Sequence, residues 1–301
     1  MNGLRGVVAL LLSIALGAAA QAQHCQPTRR AELVVTPLGN IPIVTAHING
    51  GTADFLFDTG AERSIITATA AKRLGVAAHF EYARRMRSLG TAVAGGDARL
   101  SSFNLGGMQL DNFGILVGAV ALPSIRGKPI DGLLGADFLG DYEVELDLPR
   151  RHITLFTPPP CPMTAPPWDG SYATIEANRS LHDRLFFPVR LDGHQLSALI
   201  DTGAQLTTLD SESAAAVGVT GAALARDPVT TLRGAAAEPV NSRAHRFAEL
   251  QIDGQTLRDQ TILVTRLGLQ DADLVIGADY LRWQRVWLSY ASHRIFLESR
   301  P

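Results

Sequence analysis

The chain has 301 residues and a formal net charge of −2 at pH 7, so it lacks the strongly basic composition typical of nucleic-acid-binding proteins. Hydrophobic residues make up 46% and charged residues 19%, which is the composition of a folded protein and excludes a largely disordered one. The length is sufficient for two compact domains, each with its own core.

The N-terminal segment 1–22 has the pattern of a secretory signal peptide. Arg5 provides a positive charge, residues 7–16 are apolar, and Ala20-Gln21-Ala22 forms a cleavage site with small residues at both ends. The apolar stretch is short for a membrane span, although an uncleaved anchor is the alternative. We therefore expect a periplasmic or secreted protein whose mature chain begins at Gln23 and has no stable membrane span.

Two cysteines, Cys25 and Cys161, are the only ones in the chain. In an oxidising compartment this pair can form a disulfide that ties the mature N-terminus to the middle of the chain, and the alternative is two free thiols. The sequence has neither cysteine spacing for zinc nor a His-Glu-x-x-His motif. We expect no metal and no cofactor.

The next feature is a duplication. Residues 43–61 align with residues 186–204 without a gap, and in each copy two strand-like runs flank a tight-turn dipeptide, Asn49-Gly50 or Asp192-Gly193. Each copy then ends in three apolar residues and Asp-Thr-Gly-Ala, at 58–61 and 201–204. A single Asp-Thr-Gly is usually a turn, but two in register suggest carboxylates that meet across an interface.

Each Asp-Thr-Gly-Ala segment precedes a short predicted helix, 67–74 or 210–217, and a glycine suited to ending a helix follows each one. Small-residue segments, 89–97 and 232–238, then lie between strand-like sequences. We interpret them as hairpins that cover a substrate, with plain surface loops as the alternative. The flap candidates at their tips are Gly95, Gly96, Gly234 and Ala235.

Both halves close with a matching segment, 133–139 and 275–281, and then with two strand-like runs. A proline-rich stretch separates the halves. The predicted organisation is a signal peptide (1–22), an N-terminal domain (23–157), a linker (158–171) and a C-terminal domain (172–301). Short alternating runs without long helical periods predict an all-β fold of two similar domains.

These motifs, the Asp-Thr-Gly-Ala loops together with Leu133-Leu134-Gly135 and Val275-Ile276-Gly277, resemble those of retropepsin-like aspartic proteases, in particular bacterial members with both domains on one chain. The resemblance covers nearly all of the mature chain. It implies two pseudo-symmetric closed β-barrel domains with short helices, and an active site at their interface. It also implies an extended peptide substrate, and a monomer is our default because both loops lie on one chain.

The resemblance makes Asp58 and Asp201 the catalytic residues. Two carboxylates about 3 Å apart cannot both ionise, so the pair holds one proton and can act as base and acid together, a principle for which aspartic proteases are themselves the type case. Supporting roles follow for the rest of each loop. The resemblance gives Thr59 and Thr202 hydrogen bonds to the opposite loop, and Gly60 and Gly203 permit the tight turn.

The fourth loop residues, Ala61 and Ala204, lack a hydroxyl that could donate to an ionised aspartate and lower its pKa. We therefore expect activity at milder acidity than in relatives with Ser or Thr at these positions. Other duplicated acids are interpreted as structural, with the second pair complementing helix dipoles: Asp131 and Asp273, and Asp137 and Asp279. Four scattered histidines, His47, His152, His194 and His293, are interpreted as ordinary surface or core residues.

The sequence thus predicts an exported aspartic endopeptidase. A catalytically idle scaffold that binds extended peptides is the alternative, although both aspartates are present. A purely structural envelope protein would leave the duplicated loops unexplained.

Overall fold

A computed structural model describes residues 26–88, 91–120, 122–125, 127–232 and 239–299. The predicted signal peptide, 1–22, lies outside these ranges. Within them the chain is built mainly from β-strands with a few short helices, as the sequence predicts. No helix in these ranges is long and apolar enough to cross a membrane.

The first lobe is a sheet that closes on itself. Its eight strands are β2 (Thr36–Leu38), β3 (Ile41–Ile48), β4 (Gly51–Phe57), β5 (Ile65–Thr67), β6 (Ala78–Ser88), β7 (Thr91–Leu105), β8 (Met108–Gly118) and β11 (Gly132–Leu134). Their order is β2-β3-β4-β11-β5-β8-β7-β6, and β3 also pairs with β7, which closes a six-stranded barrel. A separate two-stranded hairpin consists of β9 (Ser124–Ile125) and β10 (Lys128–Pro129).

The second lobe repeats this plan. Its strands are β15 (Asn178–Arg179), β16 (Leu185–Leu191), β17 (His194–Ile200), β18 (Thr208–Asp210), β19 (Val229–Leu232), β20 (Val240–Ile252), β21 (Gln255–Thr265) and β22 (Leu274–Ile276). The order β15-β16-β17-β22-β18-β21-β20-β19, with β16 also paired to β20, matches the first lobe strand for strand. The predicted internal duplication is therefore a duplication of topology.

The predicted tight turns have the expected backbone. Asn49 and Gly50 have φ values of 48° and 84°, and Asp192 and Gly193 have 47° and 82°. Two consecutive residues with positive φ match the strand twist, which is why Asn-Gly and Asp-Gly favour such hairpins. These turns place β4 and β17 so that each ends at an Asp-Thr-Gly-Ala loop.

The helices are short, and the first residues of two of them donate to the carbonyls of Ala61 and Ala204 in the loops. They are α1 (Ala68–Arg73), α2 (Ala136–Leu139), α3 (Ser211–Ala216), α4 (Gly221–Leu224) and α5 (Ala278–Leu281). The side chain of Thr67 caps α1 and that of Asp210 caps α3, which confirms the predictions at 67–74 and 210–217. Helix α4 was not predicted, and in the first lobe the equivalent residues belong to β6.

A third sheet joins the two lobes. It contains β1 (Thr28–Val34), β12 (Glu143–Asp147), β13 (His152–Thr157), β14 (Tyr172–Glu176), β23 (Arg285–Ser289) and β24 (Arg294–Glu298). The order is β1-β13-β12-β23-β24-β14, so the strands of the first half lie on one side and those of the second half on the other. At the centre, Val144 pairs with Leu288 and Leu146 with Val286, in an antiparallel register. All four side chains are buried.

The proline-rich segment between β13 and β14 packs against this shared sheet. Met163 is buried with Trp287 and Phe296, and Nε1 of Trp168 donates to a carboxylate oxygen of Glu145 at 2.7 Å. Cys161, in the same segment, is disulfide-bonded. Cys25, the other member of the predicted pair, lies outside the described residues.

The predicted flap of the first lobe is a hairpin of β6 and β7, but the candidates Gly95 and Gly96 are not at its tip. Gly95 and Gly96 lie within β7, where they pair with Gly118 and Val117 of β8. A Cβ on Gly96 would approach the ring of Phe80 to 2.8 Å, so close packing, and not a turn, explains this glycine. The placement of Gly95 and Gly96 at the tip is therefore wrong. Gly234 and Ala235 lie outside the described residues.

Candidate active site

The two Asp-Thr-Gly-Ala loops face each other between the lobes. Asp58 follows β4 and Asp201 follows β17, and the backbone N–H of each aspartate donates at 3.0 Å to the last residue of the neighbouring strand. The acceptors are the carbonyls of Leu134 in β11 and Ile276 in β22, both fully buried. Each loop is thus hydrogen-bonded at its start to a buried strand of its own lobe.

The loops orient their carboxylates with backbone amides. In the first loop, the N–H groups of Gly60 and Ala61 donate to Oδ1 of Asp58 at 3.0 and 2.9 Å. In the second loop, Gly203 and Ala204 donate in the same way to Oδ1 of Asp201 at 2.8 and 3.0 Å. One oxygen of each aspartate is held by its own loop as a result.

The glycines let the opposing carboxyl groups come together. A Cβ on Gly60 would lie 2.2 Å from Cγ of Asp201, and a Cβ on Gly203 would lie 2.4 Å from Cγ of Asp58. Any side chain would therefore overlap the opposite carboxyl group, which explains glycine at both positions. Each glycine thus lies directly against the carboxyl group of the opposite loop.

A reciprocal pair of threonines ties the loops across the interface. The hydroxyl of Thr59 donates to the carbonyl of Ile200 at 2.8 Å, and that of Thr202 donates to the carbonyl of Phe57 at 2.5 Å. Each hydroxyl also accepts the backbone N–H of the other threonine at 3.1 Å. Both threonines are fully buried, so these bonds are shielded from water. The arrangement expected for Thr59 and Thr202 is present.

A second brace under each loop was not foreseen from the sequence. Oδ1 of Asp137 accepts both the N–H and the hydroxyl of Ser64, at 2.7 and 2.8 Å, and the Ser64 hydroxyl accepts the N–H of Gly135. Asp279 accepts the N–H and the hydroxyl of Thr207 in the same way. These acids do lie in the first turn of α2 and α5, but they also fix the chain that follows each loop.

Burial and mutual repulsion govern the ionisation of the two aspartates. Burial raises the pKa of Asp58 well above its usual value, and the charge of Asp201 adds to the rise. Burial also raises the pKa of Asp201, against the opposing effect of the amides of Gly203 and Ala204. The pair therefore retains a proton at pH values where isolated aspartates are fully ionised. A pair with one proton can accept a proton from water and donate one to a substrate.

An ion pair next to the first loop was also not predicted from the sequence. Nη2 of Arg184, from the second lobe, lies 3.1 Å from Oε1 of Glu62, and both side chains are largely buried. No motif marks this pair, because its members come from different lobes. A cavity of about 560 Å³ opens beside it, and Phe186, Ser197 and Leu269 contribute to its lining.

The remaining predicted residues lie away from the loops or act structurally. Asp131 accepts the N–H of Asp54 and pairs with Arg73, and Asp273 accepts the N–H of Ser197. The histidines are exposed or half-buried on the outer surface: His47, His152, His194 and His293. Among the described residues, no group of three or more His, Cys, Asp or Glu is arranged to hold a metal ion.

Comparison with known proteins agrees with this geometry. A solved structure of an aspartic proteinase from Irpex lacteus superposes with a TM-score of 0.54 over 89% of this chain and 97% of that one, at 13% sequence identity. This likeness shows the two-lobed fold. No curated protein matches the sequence.

The family assignment comes from the sequence of both halves. The model of a family described as aspartyl protease matches residues 44–138 and again residues 187–280. Each match contains one Asp-Thr-Gly-Ala loop and the first three residues of α2 or α5. The chain belongs to the aspartyl protease family and has the retropepsin-like fold in two duplicated domains.

Proposed function

We propose that the chain is an exported aspartic endopeptidase in which Asp58 and Asp201 activate a water molecule between them. Family membership supports peptidase activity in general. The observation that carries the specific mechanism is the close approach of the two loops, in which each glycine lies against the carboxyl group of the opposite loop.

The chemistry follows from one shared proton. As the water oxygen bonds to the peptide carbonyl carbon, one aspartate takes a water proton and the other gives its proton to the carbonyl oxygen, which yields a neutral diol. The C–N bond then breaks as the amine nitrogen receives a proton and a diol hydroxyl gives one up. The protein supplies orientation through the loop amides and the threonines, which hold both carboxyl groups in place before substrate binds.

The substrate is proposed to be an extended peptide bound between the lobes. Backbone pairing to strand-like segments would provide affinity, and the cavity next to Glu62 and Arg184 would receive a side chain. Because both loops lie on one chain, the active unit is proposed to be a monomer. No cofactor takes part in this scheme.

The deciding experiment incubates the purified protein with a diverse peptide mixture between pH 3 and 8. We expect cleavage that Asp58→Asn or Asp201→Asn lowers by about 10²–10⁴-fold or more, because either change removes the proton exchange. Asp259→Asn is the matched control, since this aspartate is exposed and pairs only at the surface with Arg246. Absence of cleavage by the unchanged protein over the whole range would favour the peptide-binding scaffold.

Export is tested separately. The segment 1–22 supports a cleaved signal peptide. N-terminal sequencing of the protein recovered outside the cytoplasm should begin at Gln23. Retention of residues 1–22 would indicate an uncleaved anchor.

A further inference from the structure

The segment that closes each barrel holds the Asp-Thr-Gly-Ala loop of its lobe at several points. In the first lobe, the four consecutive residues 134–137 all bond to the chain between residues 58 and 64. The N–H of Asp58 donates to the carbonyl of Leu134 at 3.0 Å, and the N–H of Ala136 donates to the carbonyl of Ala61 at 2.8 Å. Backbone bonds alone therefore fasten the start of the loop and its fourth residue.

The remaining attachment depends on the side chain of Asp137. Its Oδ1 accepts the N–H and the hydroxyl of Ser64 at 2.7 and 2.8 Å, and Oγ of Ser64 accepts the N–H of Gly135 at 2.9 Å. A serine hydroxyl has one hydrogen, so donation to Asp137 leaves a lone pair for Gly135. Ser64 is fully buried, which shields these bonds from water. The carboxylate thus orients the hydroxyl that links the two segments.

The packing leaves these segments little freedom to shift against each other. A Cβ on Gly135 would lie 2.7 Å from the carbonyl carbon of Arg63 and 2.9 Å from the carbonyl oxygen of Ala61. Ala61 also donates its N–H to Oδ1 of Asp58 at 2.9 Å. Since the same peptide chain is held on both sides, a movement of residues 135–137 would displace an amide that orients Asp58.

The second lobe has the same bonds with a different hydroxyl residue. Oδ1 of Asp279 accepts the N–H and the hydroxyl of Thr207 at 3.0 and 2.8 Å, and Oγ1 of Thr207 accepts the N–H of Gly277 at 3.2 Å. The N–H of Ala278 donates to the carbonyl of Ala204 at 2.7 Å. The feature common to both lobes is therefore a hydroxyl bonded to an acid, whether serine or threonine supplies it.

Another acid of the first lobe provides a comparison, because its contacts lie elsewhere. Oδ2 of Asp131 accepts the N–H of Asp54 in β4 at 3.0 Å, and Oδ1 accepts from Arg73 of α1 at 2.7 Å. The side chain of Asp131 is 9% exposed, against 21% for Asp137. Asp131 is thus the more buried acid, and its side chain bonds to a strand and a helix outside residues 58–64.

We propose that Asp137 and Asp279 are positioning residues for the two loop aspartates. Each acid acts through its hydroxyl partner and keeps the two loop amides on Oδ1 of Asp58 or Asp201, and it takes no part in proton transfer. A role confined to the helix dipole would stabilise α2 or α5 and leave the loops unaffected. The effect on catalysis rests on the proposed function, whereas the effect on the loop amides does not.

The first test is amide hydrogen exchange, followed by NMR in the intact protein. Asp137→Ala should make the N–H groups of Gly60 and Ala61 exchange about 10-fold faster relative to the paired amides of β4, because the loop loses one of its attachments. Asp131→Ala is the matched control. It should speed exchange in the lobe generally without singling out the two loop amides. This readout requires no activity.

The second test is steady-state kinetics on peptide substrate at a temperature where every variant is folded. Asp137→Ala should lower kcat by about 10-fold to 10²-fold with a smaller change in KM, because the reacting groups and not the substrate contacts are displaced. Asp137→Asn retains an oxygen that can accept both bonds from Ser64 and should restore most of kcat. Asp131→Ala should lower the melting temperature and leave kcat unchanged.

The second lobe should give the same results, with Asp279→Ala acting on the amides of Gly203 and Ala204. If Asp137→Ala fails to fold, Ser64→Ala decides in its place, since it removes the hydroxyl link and retains the carboxylate. Equal acceleration of exchange in the loop and in β4 would overturn the proposal, as would an unchanged kcat in the folded variants. Failure of the unchanged protein to cleave peptides would overturn the proposed function and leave the exchange test intact.

Discussion

The two lobes agree in the hydrogen bonds of their active loops and differ in what surrounds those loops. In both, two amides hold Oδ1 of the aspartate, a threonine crosses to the other lobe, and an acid in the first turn of a short helix braces the chain that follows. The flanking contacts differ. The buried ion pair of Arg184 and Glu62 lies beside the first loop, whereas beside the second loop the side chain of Asn40 donates an exposed hydrogen bond to the backbone carbonyl of Gln205. The geometry around the two loop aspartates is therefore shared, and the charges flanking the loops distinguish the lobes.

The largest expected effect tests the shared geometry. Gly60→Ala and Gly203→Ala each place a methyl group on the opposite carboxyl group, which must move. A displacement of about 1 Å at a catalytic group can lower the rate about 10²-fold, so we expect losses of at least this size from either substitution. Peptide cleavage assays on both variants measure it. Gly254→Ala, where a Cβ would meet nothing within 4 Å, is the control. Normal activity in either loop variant would contradict the close approach.

The next effect concerns the buried threonines. Thr59→Val or Thr202→Val leaves a carbonyl and an N–H of the opposite loop without their partner, at a cost of about 1–3 kcal/mol for each unpaired group. Denaturant unfolding should show a similar decrease in the free energy of unfolding for the two single variants. The double variant should lose less than the sum of the two decreases, because the bonds form one network. Thr45→Val, on an exposed strand position, should change stability little. Strictly additive losses would show that the bonds act independently.

A smaller effect addresses the difference between the lobes. A serine hydroxyl in place of Ala61 or Ala204 could donate to the ionised aspartate of its loop, and this lowers the pKa of that group. Each substitution should move the pH range of activity toward lower pH. If Asp201 is the ionised member, Ala204→Ser should act mainly on the acid limb and Ala61→Ser mainly on the alkaline limb. Full pH profiles of kcat/KM measure this, with the exposed Ala222→Ser as control. Identical profiles for the two variants would argue for an equivalent pair.

The smallest expected effect is on the pH dependence of stability, and it comes from Glu143 in the shared sheet. Burial raises the pKa of Glu143, although Trp287 and Ser289 donate to its carboxylate at 2.8 and 2.9 Å. Because the folded-state pKa lies above the unfolded one, stability is highest below the unfolded value and falls as pH rises through the folded value. Glu143→Gln removes this charge and should make the loss of stability with rising pH less steep. Melting temperatures across the acid-to-neutral range test it, and an unchanged slope would assign the decline to other groups.

Local features were predictable because their causes lie close together in the chain. The Asn-Gly and Asp-Gly turns need only two residues with positive φ, and the caps of α1 and α3 need one side chain each. The catalytic candidates Asp58 and Asp201 stood out through duplication.

Features that depend on distant partners were not predictable. The pairing of Val144 with Leu288 joins strands whose apolar patterns fit many partners, and the Arg184–Glu62 pair has no spacing that marks it. The brace by Asp137 was missed because a first-turn acid already has a local explanation in the helix dipole. Gly95 and Gly96 were misplaced because glycines in a strand and in a turn look alike in sequence.

The shared sheet also determines how the molecule can be divided. Between β13 and β14 the chain contains neither helix nor strand in the described structure, and each side of that segment holds one barrel and three strands of the sheet. Severing the backbone there leaves β12 on one fragment and β23 on the other as matching open edges, which are templates for pairing. Each fragment also carries one of the two loop aspartates, Asp58 or Asp201. If the proposed peptide cleavage returns when the two fragments are mixed, it therefore reports that they have docked. The chain could then be used as a split-protein reporter of association.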